Sequence, residues 1–103
     1  MKEKIAQLQS LEQNVQMIRT QLHSVQSLLL ECQTALDSLS GKKEAFKFVG
    51  NIMIKEDVSS LTSDLTAKKE RLEKQKASFE QQEQTFLAQK KELETELLGE
   101  KNE

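Results

Sequence analysis

Three kinds of side chain in this 103-residue chain could do chemistry: one histidine, one cysteine and many glutamates. His23 could act as a base or metal ligand and Cys32 as a nucleophile, but neither belongs to a recognisable motif. The sequence has no Gly-rich phosphate loop, no paired metal-ligand motifs and no nucleophile beside a base. We therefore interpret His23 and the glutamates as solvated helix-face residues and Cys32 as a small apolar core residue. The pattern predicts no enzyme, with no catalytic, cofactor-binding or metal-binding residue.

Composition favours long helices over a globular core. Charged residues make up 31% of the chain, and there is no Pro or Trp and only four Phe. Abundant Glu, Lys, Gln and Leu in a heptad period are typical of coiled coils. The formal net charge of −2 argues against a nucleic-acid partner, and no apolar run is long enough to cross a membrane. A single cysteine agrees with a reducing compartment, so we expect a soluble protein in the cytoplasm.

The first part of the chain has a regular apolar heptad. Successive a and d positions are occupied by Leu8, Leu11, Val15, Ile18, Leu22, Val25, Leu29, Cys32, Leu36 and Leu39. Ser40 and Gly41 end this pattern, because Gly can adopt the left-handed conformation that closes a helix. Residues 1–41 are therefore predicted to form an N-terminal coiled-coil helix.

A second heptad begins after Asp57, whose carboxylate can cap the free amides of Ser59 or Ser60. Its apolar positions, seven residues apart, are Val58, Leu65, Leu72, Phe79, Phe86 and Leu93. After Leu61, the alternate seam positions are predicted to be polar: Lys68, Gln75, Gln82, Gln89 and Glu96. Residues 57–103 are therefore predicted to form a C-terminal coiled-coil helix with a frayed end, whose seam is half polar.

Between the helices, residues 42–56 predict a β-hairpin. Two strands rich in β-branched and aromatic residues flank Gly50-Asn51, which suits a two-residue type II′ turn. In this register one face carries Lys47, Val49, Ile52 and Ile54, and the other carries Phe46, Phe48, Met53 and Lys55. Because both faces are apolar and a lone two-stranded hairpin is marginal in water, we expect other hairpins to extend the sheet. The expected oligomerisation residues are Phe46, Phe48, Val49, Gly50, Asn51, Ile52, Met53 and Ile54.

The short connection predicts that the two helices run antiparallel. The expected fold class is therefore mainly α, a long antiparallel two-helix coiled coil joined by one β-hairpin that assembles between subunits. The whole chain is expected to form one structural domain.

The hairpin from Phe46 to Lys55 resembles that of the β-class subunits of prefoldin, a hexameric co-chaperone of archaea and eukaryotes. The shared features are an aromatic-Lys-x-Val-Gly motif and an apolar strand that ends in Lys. The resemblance extends over nearly the whole chain, and one hairpin rather than two indicates the β class. It implies that two α-class and four β-class subunits join their hairpins in paired β-barrels, from which six coiled coils project.

The resemblance also implies a function, which is ATP-independent capture of unfolded proteins between the coiled coils and transfer to a group II chaperonin. Ile5 lies outside the seam of the first helix, and Leu97 and Leu98 lie outside the predicted seam of the second. Fraying there could expose apolar surface to a client. The candidate client-binding residues are Ile5, Leu8, Leu93, Leu97 and Leu98. The other interpretation is that Leu8 and Leu93 only close the coiled coil and that the rest are incidental helix-end residues.

A different class of function fits the same periodicity. In a structural coiled-coil adaptor or a filament subunit, the hairpins would join chains but the helices would never bind unfolded proteins. A closed complex has a defined mass, whereas a non-closing contact gives mass that grows with concentration. The two classes therefore differ in assembly and in protection of an unfolded client.

Overall fold

The architecture is two long α-helices joined by one β-hairpin. A computed structural model describes residues 2–102. Two residues of the predicted helical segments lie outside this part: Met1, the first residue of segment 1–41, and Glu103, the last residue of segment 57–103. The elements in chain order are α1 (Lys2–Leu39), β1 (Ala45–Val49), β2 (Ile52–Glu56) and α2 (Val58–Asn102). This order confirms the predicted fold class of two helices and one hairpin.

The end of α1 follows the predicted signal. The helix stops at Leu39, and Gly41 has a φ of +75°, in the left-handed region that favours glycine. The amide of Lys42 donates to the carbonyl oxygen of Leu39 at 3.1 Å, which satisfies one of the free carbonyls at the helix end. Residues 40–44 connect the end of α1 to β1.

The hairpin has the predicted register. Val49 pairs with Ile52 and Phe48 pairs with Met53 across two antiparallel strands. Gly50 has a φ of +63°, and no described residue other than glycine has a positive φ. A type I′ turn needs positive φ at both central residues, whereas type II′ needs it only at the first. The backbone therefore agrees with the predicted type II′ turn.

Asp57 caps α2 as predicted. The amide of Ser60 donates to Asp57 Oδ2 at 3.1 Å, and the amide of Leu61 donates to the Asp57 carbonyl oxygen at 2.9 Å. A carboxylate at this position satisfies a free amide and also lies favourably at the positive end of the helix dipole. A single residue, Asp57, therefore separates the end of β2 from the start of α2.

The chain groups into two compact units. Over the described residues, one unit combines residues 2–24 with residues 76–102, and the other is Val25–Gln75. The first unit contains the start of α1 and the end of α2, and the second contains the hairpin with the helical segments that flank it. Both units use the same kind of packing, in which a stretch of α1 lies against a stretch of α2.

Burial along α1 confirms its predicted seam. The buried apolar residues of this helix are Val15, Ile18, Leu22, Val25 and Cys32. The remaining seam residues, half-buried, are Leu8, Leu11, Leu29, Leu36 and Leu39. Burial thus recurs at intervals of three and four residues along the described helix, as a coiled coil requires.

The predicted seam of α2 is half right. The apolar positions are buried or half-buried, with Leu72 and Leu93 the most buried. The predicted alternate positions are wrong, because Lys68, Gln75, Gln82, Gln89 and Glu96 are all exposed. The half-buried alternates are instead Thr62, Lys69, Lys76, Glu83, Lys90 and Leu97. Each lies four residues after an apolar position rather than three.

The alternate positions were predicted wrongly because a heptad that has only one apolar residue is ambiguous. Seam residues alternate between intervals of three and four, so seven residues can be divided in either order. Leu61 lies three residues after Val58 and favours the wrong order. Further along the helix, the positions at both intervals are mostly polar, so residue type alone does not select between them.

Polar seam residues of α2 reach across to α1. In the unit that contains the hairpin, Lys69 Nζ donates to Gln33 Oε1 at 2.7 Å. In the other unit, Arg19 Nε donates to Glu83 Oε2 at 3.0 Å. Long side chains can bury their apolar stems in the seam while their polar ends remain near water. The Arg19–Glu83 ion pair, being largely exposed, contributes only about 0–1 kcal/mol, so its main effect is to align the two helices.

The ion pairs also establish the register between the helices in the unit that contains their outer ends. They are Arg19–Glu83 at 3.0 Å, Glu12–Lys90 at 4.0 Å and Lys4–Glu96 at 3.6 Å. Residue numbers fall on α2 as they rise on α1, which confirms the antiparallel direction. Counting along the two seams from these pairs places Leu8 level with Leu93 and Leu22 level with Phe79.

Lys76→Leu should stabilise the isolated chain, because position 76 is half-buried on the seam and leucine can bury more of its side chain there than lysine, whose charged end stays near water. At about 0.8 kcal/mol per buried CH₂, a gain of about 1 kcal/mol is expected. This corresponds to a rise in melting temperature of about 4–8 °C for a domain of this size. Thermal unfolding followed by circular dichroism measures it.

The matched control is Gln75→Leu, which adds the same side chain at the neighbouring exposed position. We expect its melting temperature to stay close to that of the unchanged chain. If Gln75→Leu were the more stable variant, the seam would run through the position expected from the sequence.

Candidate assembly surface and apolar helix ends

The hairpin displays its apolar side chains to solvent. We define the hairpin surface as Phe46, Phe48, Val49, Ile52, Met53 and Ile54. Their exposed fractions run from 44% for Ile54 to 68% for Phe48. By contrast, Ala45 at the start of β1 is buried. Six large apolar residues within nine positions therefore lack a covering layer in the described chain.

Apolar residues lie on both faces of the two-stranded sheet. The cross-strand pair Phe48 and Met53 lies on one face, and the pair Val49 and Ile52 lies on the other. A sheet that packs against its own core usually has one apolar and one polar face. This hairpin therefore differs from a surface hairpin of a monomeric protein and has the properties of an interface.

The edges of the sheet are also open. Among the described residues the sheet has two strands, so β1 and β2 pair only with each other. Each strand has an outer row of backbone donors and acceptors that a further strand could pair with. The hairpin thus offers two kinds of contact to another chain, apolar packing through its faces and backbone hydrogen bonds through its edges.

The second candidate surface lies where the start of α1 meets the end of α2. Ile5 is 43% exposed and Leu98 is 61% exposed, whereas Leu93 is buried. Leu8 and Leu97 are half-buried. The expectation that Leu97 lies off the seam is wrong, because it follows Leu93 by four residues and continues the half-buried series of α2. The freely accessible apolar area of this set therefore belongs mainly to Ile5 and Leu98.

A shallow groove runs beside these residues. It is an open groove of about 450 Å³ between the two helices, lined by Gln7, Ser10, Leu11, Gln89, Glu92, Leu93 and Glu96. Amides, a hydroxyl and carboxylates surround an apolar floor of two leucines. Sequence reasoning missed this groove, because its lining depends on which residues of α1 and α2 lie at the same level.

His23 and Cys32 occupy the predicted places, whereas Glu83 is half-buried on the α2 seam rather than on a solvated helix face. His23 is exposed on α1, and Cys32 is a free, buried thiol on the seam. Among the side chains of residues 2–99, no group of three or more His, Cys, Asp or Glu is arranged to hold a metal ion. Neither helix, over its described length, is apolar enough to span a membrane.

Comparisons with known proteins give one consistent result. Residues 2–100 match the model of the family described as prefoldin subunit. The chain is 36% identical over 83 residues to the prefoldin subunit beta of Archaeoglobus fulgidus, covering 78% of this chain and 72% of that protein.

The structure is also similar to the crystal structure of the prefoldin beta subunit from Thermococcus strain KS-1, with a TM-score of 0.88 and 28% identity. That match covers 95% of this chain and 89% of the other. The family model, the relative and the solved structure all extend across both helices and the hairpin. The chain therefore belongs to the prefoldin family, as a member of its β class.

Proposed function

We propose that this chain is one of four β subunits, with two α-class subunits, in a hexameric prefoldin co-chaperone that captures unfolded proteins. The observation that carries the proposal is the hairpin surface, whose apolar residues are exposed on both faces. Prefoldin subunits assemble with one another, and this surface is the part of the described chain best suited to that assembly. We place the hairpins of neighbouring subunits side by side in β-barrels.

The energetics favour several hairpins over two. Full burial of a large apolar side chain contributes about 1.5–3 kcal/mol, and these side chains are roughly half exposed. Association costs about 4–15 kcal/mol in lost translational and rotational freedom. One pair of hairpins that shares a single edge gains little beyond this cost. A closed barrel buries more apolar area per subunit and leaves no open strand edge.

Assembly would involve all eight residues of the predicted set. Phe46, Phe48 and Met53 provide one apolar face, and Val49, Ile52 and Ile54 provide the other. Gly50 and Asn51 form the turn that sets this register, so their contribution is to the shape of the hairpin. A change at the turn would alter every cross-strand pair at once.

We place client capture at the helix ends. The residues that would contact a client there are Ile5, Leu8, Leu93, Leu97 and Leu98. Ile5 and Leu98 provide exposed apolar contact, and Leu8, Leu93 and Leu97 support them from the seam. Several weak sites in one complex raise the effective concentration around a client, so no single deep pocket is needed. Capture of this kind needs no ATP, in agreement with a sequence that has no phosphate-binding loop.

The proposed pathway ends with transfer of the client to a group II chaperonin in the cytoplasm. A single buried thiol agrees with a reducing compartment. Apolar contacts at the helix ends are individually weak, so a client can leave them one at a time. This property suits transfer better than tight binding would.

Phe48→Ser should prevent assembly while leaving both helices folded. The substitution removes the most exposed aromatic side chain of the hairpin surface. Because the complex contains several copies of this chain, the loss of apolar contact is repeated at each copy. Light scattering of the variant mixed with an α-class prefoldin subunit should show separate chains. The unchanged chain should give a hexamer with twice as many copies of this chain as of its partner.

Leu30→Ser is the control for this experiment, because Leu30 is 69% exposed but lies on α1 rather than on the hairpin. It should assemble normally. Full assembly of Phe48→Ser would contradict the assignment of this face to the interface. If the mass of the unchanged chain grew with concentration, the chain would instead form a filament.

The double variant Ile5→Ser with Leu98→Ser should assemble normally but protect an unfolded client less well. Both residues are exposed, so their replacement leaves the seam intact, whereas Leu97→Ser would also disturb helix packing. We expect several-fold weaker suppression of aggregation of a chemically denatured protein by the assembled complex without nucleotide.

The matched control replaces two exposed apolar residues elsewhere on α1, Met17→Ser with Leu30→Ser. It removes a similar apolar area and should retain full protection. Equal protection by the Ile5 and Leu98 double variant, in a complex of normal mass, would rule out a role for these two residues in client contact.

A further inference from the structure

A second groove lies at the base of the hairpin. It is an open groove of about 440 Å³, lined mainly by apolar side chains of α1, β1 and α2. Its apolar lining comprises Ala35, Leu39, Ala45, Phe46, Leu61 and Leu65. All these residues belong to the unit Val25–Gln75, so the groove is a feature of that unit alone.

Small side chains keep the groove open. Ala35 on α1 and Ala45 on β1 provide methyl groups where larger residues would fill the space. The closure of α1 at Gly41 brings β1 back beside the helices and so creates the wall that faces them. The groove therefore results from the path of the chain at this corner together with two alanines.

The groove is continuous with the hairpin surface through Phe46. This residue lines the groove and also belongs to the exposed face that carries Phe48 and Met53. Phe46 is 54% exposed, so its side chain links the apolar face of the sheet to the groove. A partner that covers this face of the hairpin would reach the groove next.

We propose that the groove receives an apolar side chain from the hairpin of a neighbouring prefoldin subunit. The proposal rests on the proposed function and extends the assembly interface beyond the sheet to Ala35, Leu39, Leu61 and Leu65. The assembled complex is then held by contacts between hairpin and helix base as well as between hairpins.

Size and charge both fit this occupant. A cavity of about 150 Å³ accepts a benzene ring, so the groove has room for one aromatic or long aliphatic side chain. The charged residues that line it, Lys42 and Glu44, have opposite signs, and Glu44 already forms an ion pair with Lys55 at 3.5 Å. The groove therefore favours an uncharged apolar side chain, which is what an adjoining hairpin surface displays.

Ala35→Phe tests the proposal by filling the groove without changing the hairpin. We expect at least about a tenfold increase in the concentration needed for half-assembly with an α-class prefoldin subunit, the effect of losing one well-buried contact. Its matched control is Ala67→Phe, an exposed position on α2 in the same unit, which should assemble normally. Circular dichroism of each separate chain checks that both variants remain helical. Equal assembly of the two variants would overturn the proposal.

A second measurement identifies the occupant and does not depend on a filled groove. A photoreactive amino acid in place of Ser38, an exposed residue that lines the groove, should form a cross-link to a hairpin peptide of another subunit in the assembled complex. A cross-link only to a client, or none in an intact hexamer, would overturn the groove assignment and leave the proposed function standing. Failure of the unchanged chain to assemble at all would instead overturn the proposed function.

Discussion

The structure depends on an unequal pairing of two helical seams. The seam of α1 is apolar at every position from Leu8 to Leu39, whereas that of α2 alternates apolar residues with mostly polar ones. Apolar layers such as that of Leu22 and Phe79 therefore alternate with layers in which a long polar side chain covers the α1 seam. A long polar side chain that buries its apolar stem and keeps its polar end hydrated costs less free energy than a buried charge. The pairing of the helices is therefore stable without a continuous dry core.

Most of the fold could be predicted from local sequence signals, each of which is compatible with only one local structure. The Gly50-Asn51 turn determines which residues of the two strands face each other, and Asp57 and Gly41 mark helix ends because capping chemistry suits few residue types. The polar half of the α2 seam could not be predicted in this way. Lys68 and Lys69 are chemically identical, and only packing against α1 distinguishes the exposed one from the half-buried one.

The same distinction applies to the candidate sites. The hairpin surface could be predicted because strand alternation and turn position assign every side chain to a face, and the structure places them there. The helix ends were harder, because the role of Leu97 depends on the order of the intervals along α2. Both grooves escaped prediction, since each is lined by residues brought together from different elements. Sequence periodicity describes one element at a time, whereas a groove is a property of at least two.

In the proposed complex, assembly and folding of the hairpin are one process. A two-stranded sheet with two exposed apolar faces has little stability of its own, and it is anchored to the helices mainly through the buried Ala45 and the short links on either side. The helical pair supplies this anchor, and in the proposed complex neighbouring subunits supply the missing layers. Helix pairing therefore need not be strong throughout. It has to present the hairpin in one orientation, and the capped junctions at Gly41 and Asp57 accomplish this within a few residues of the sheet.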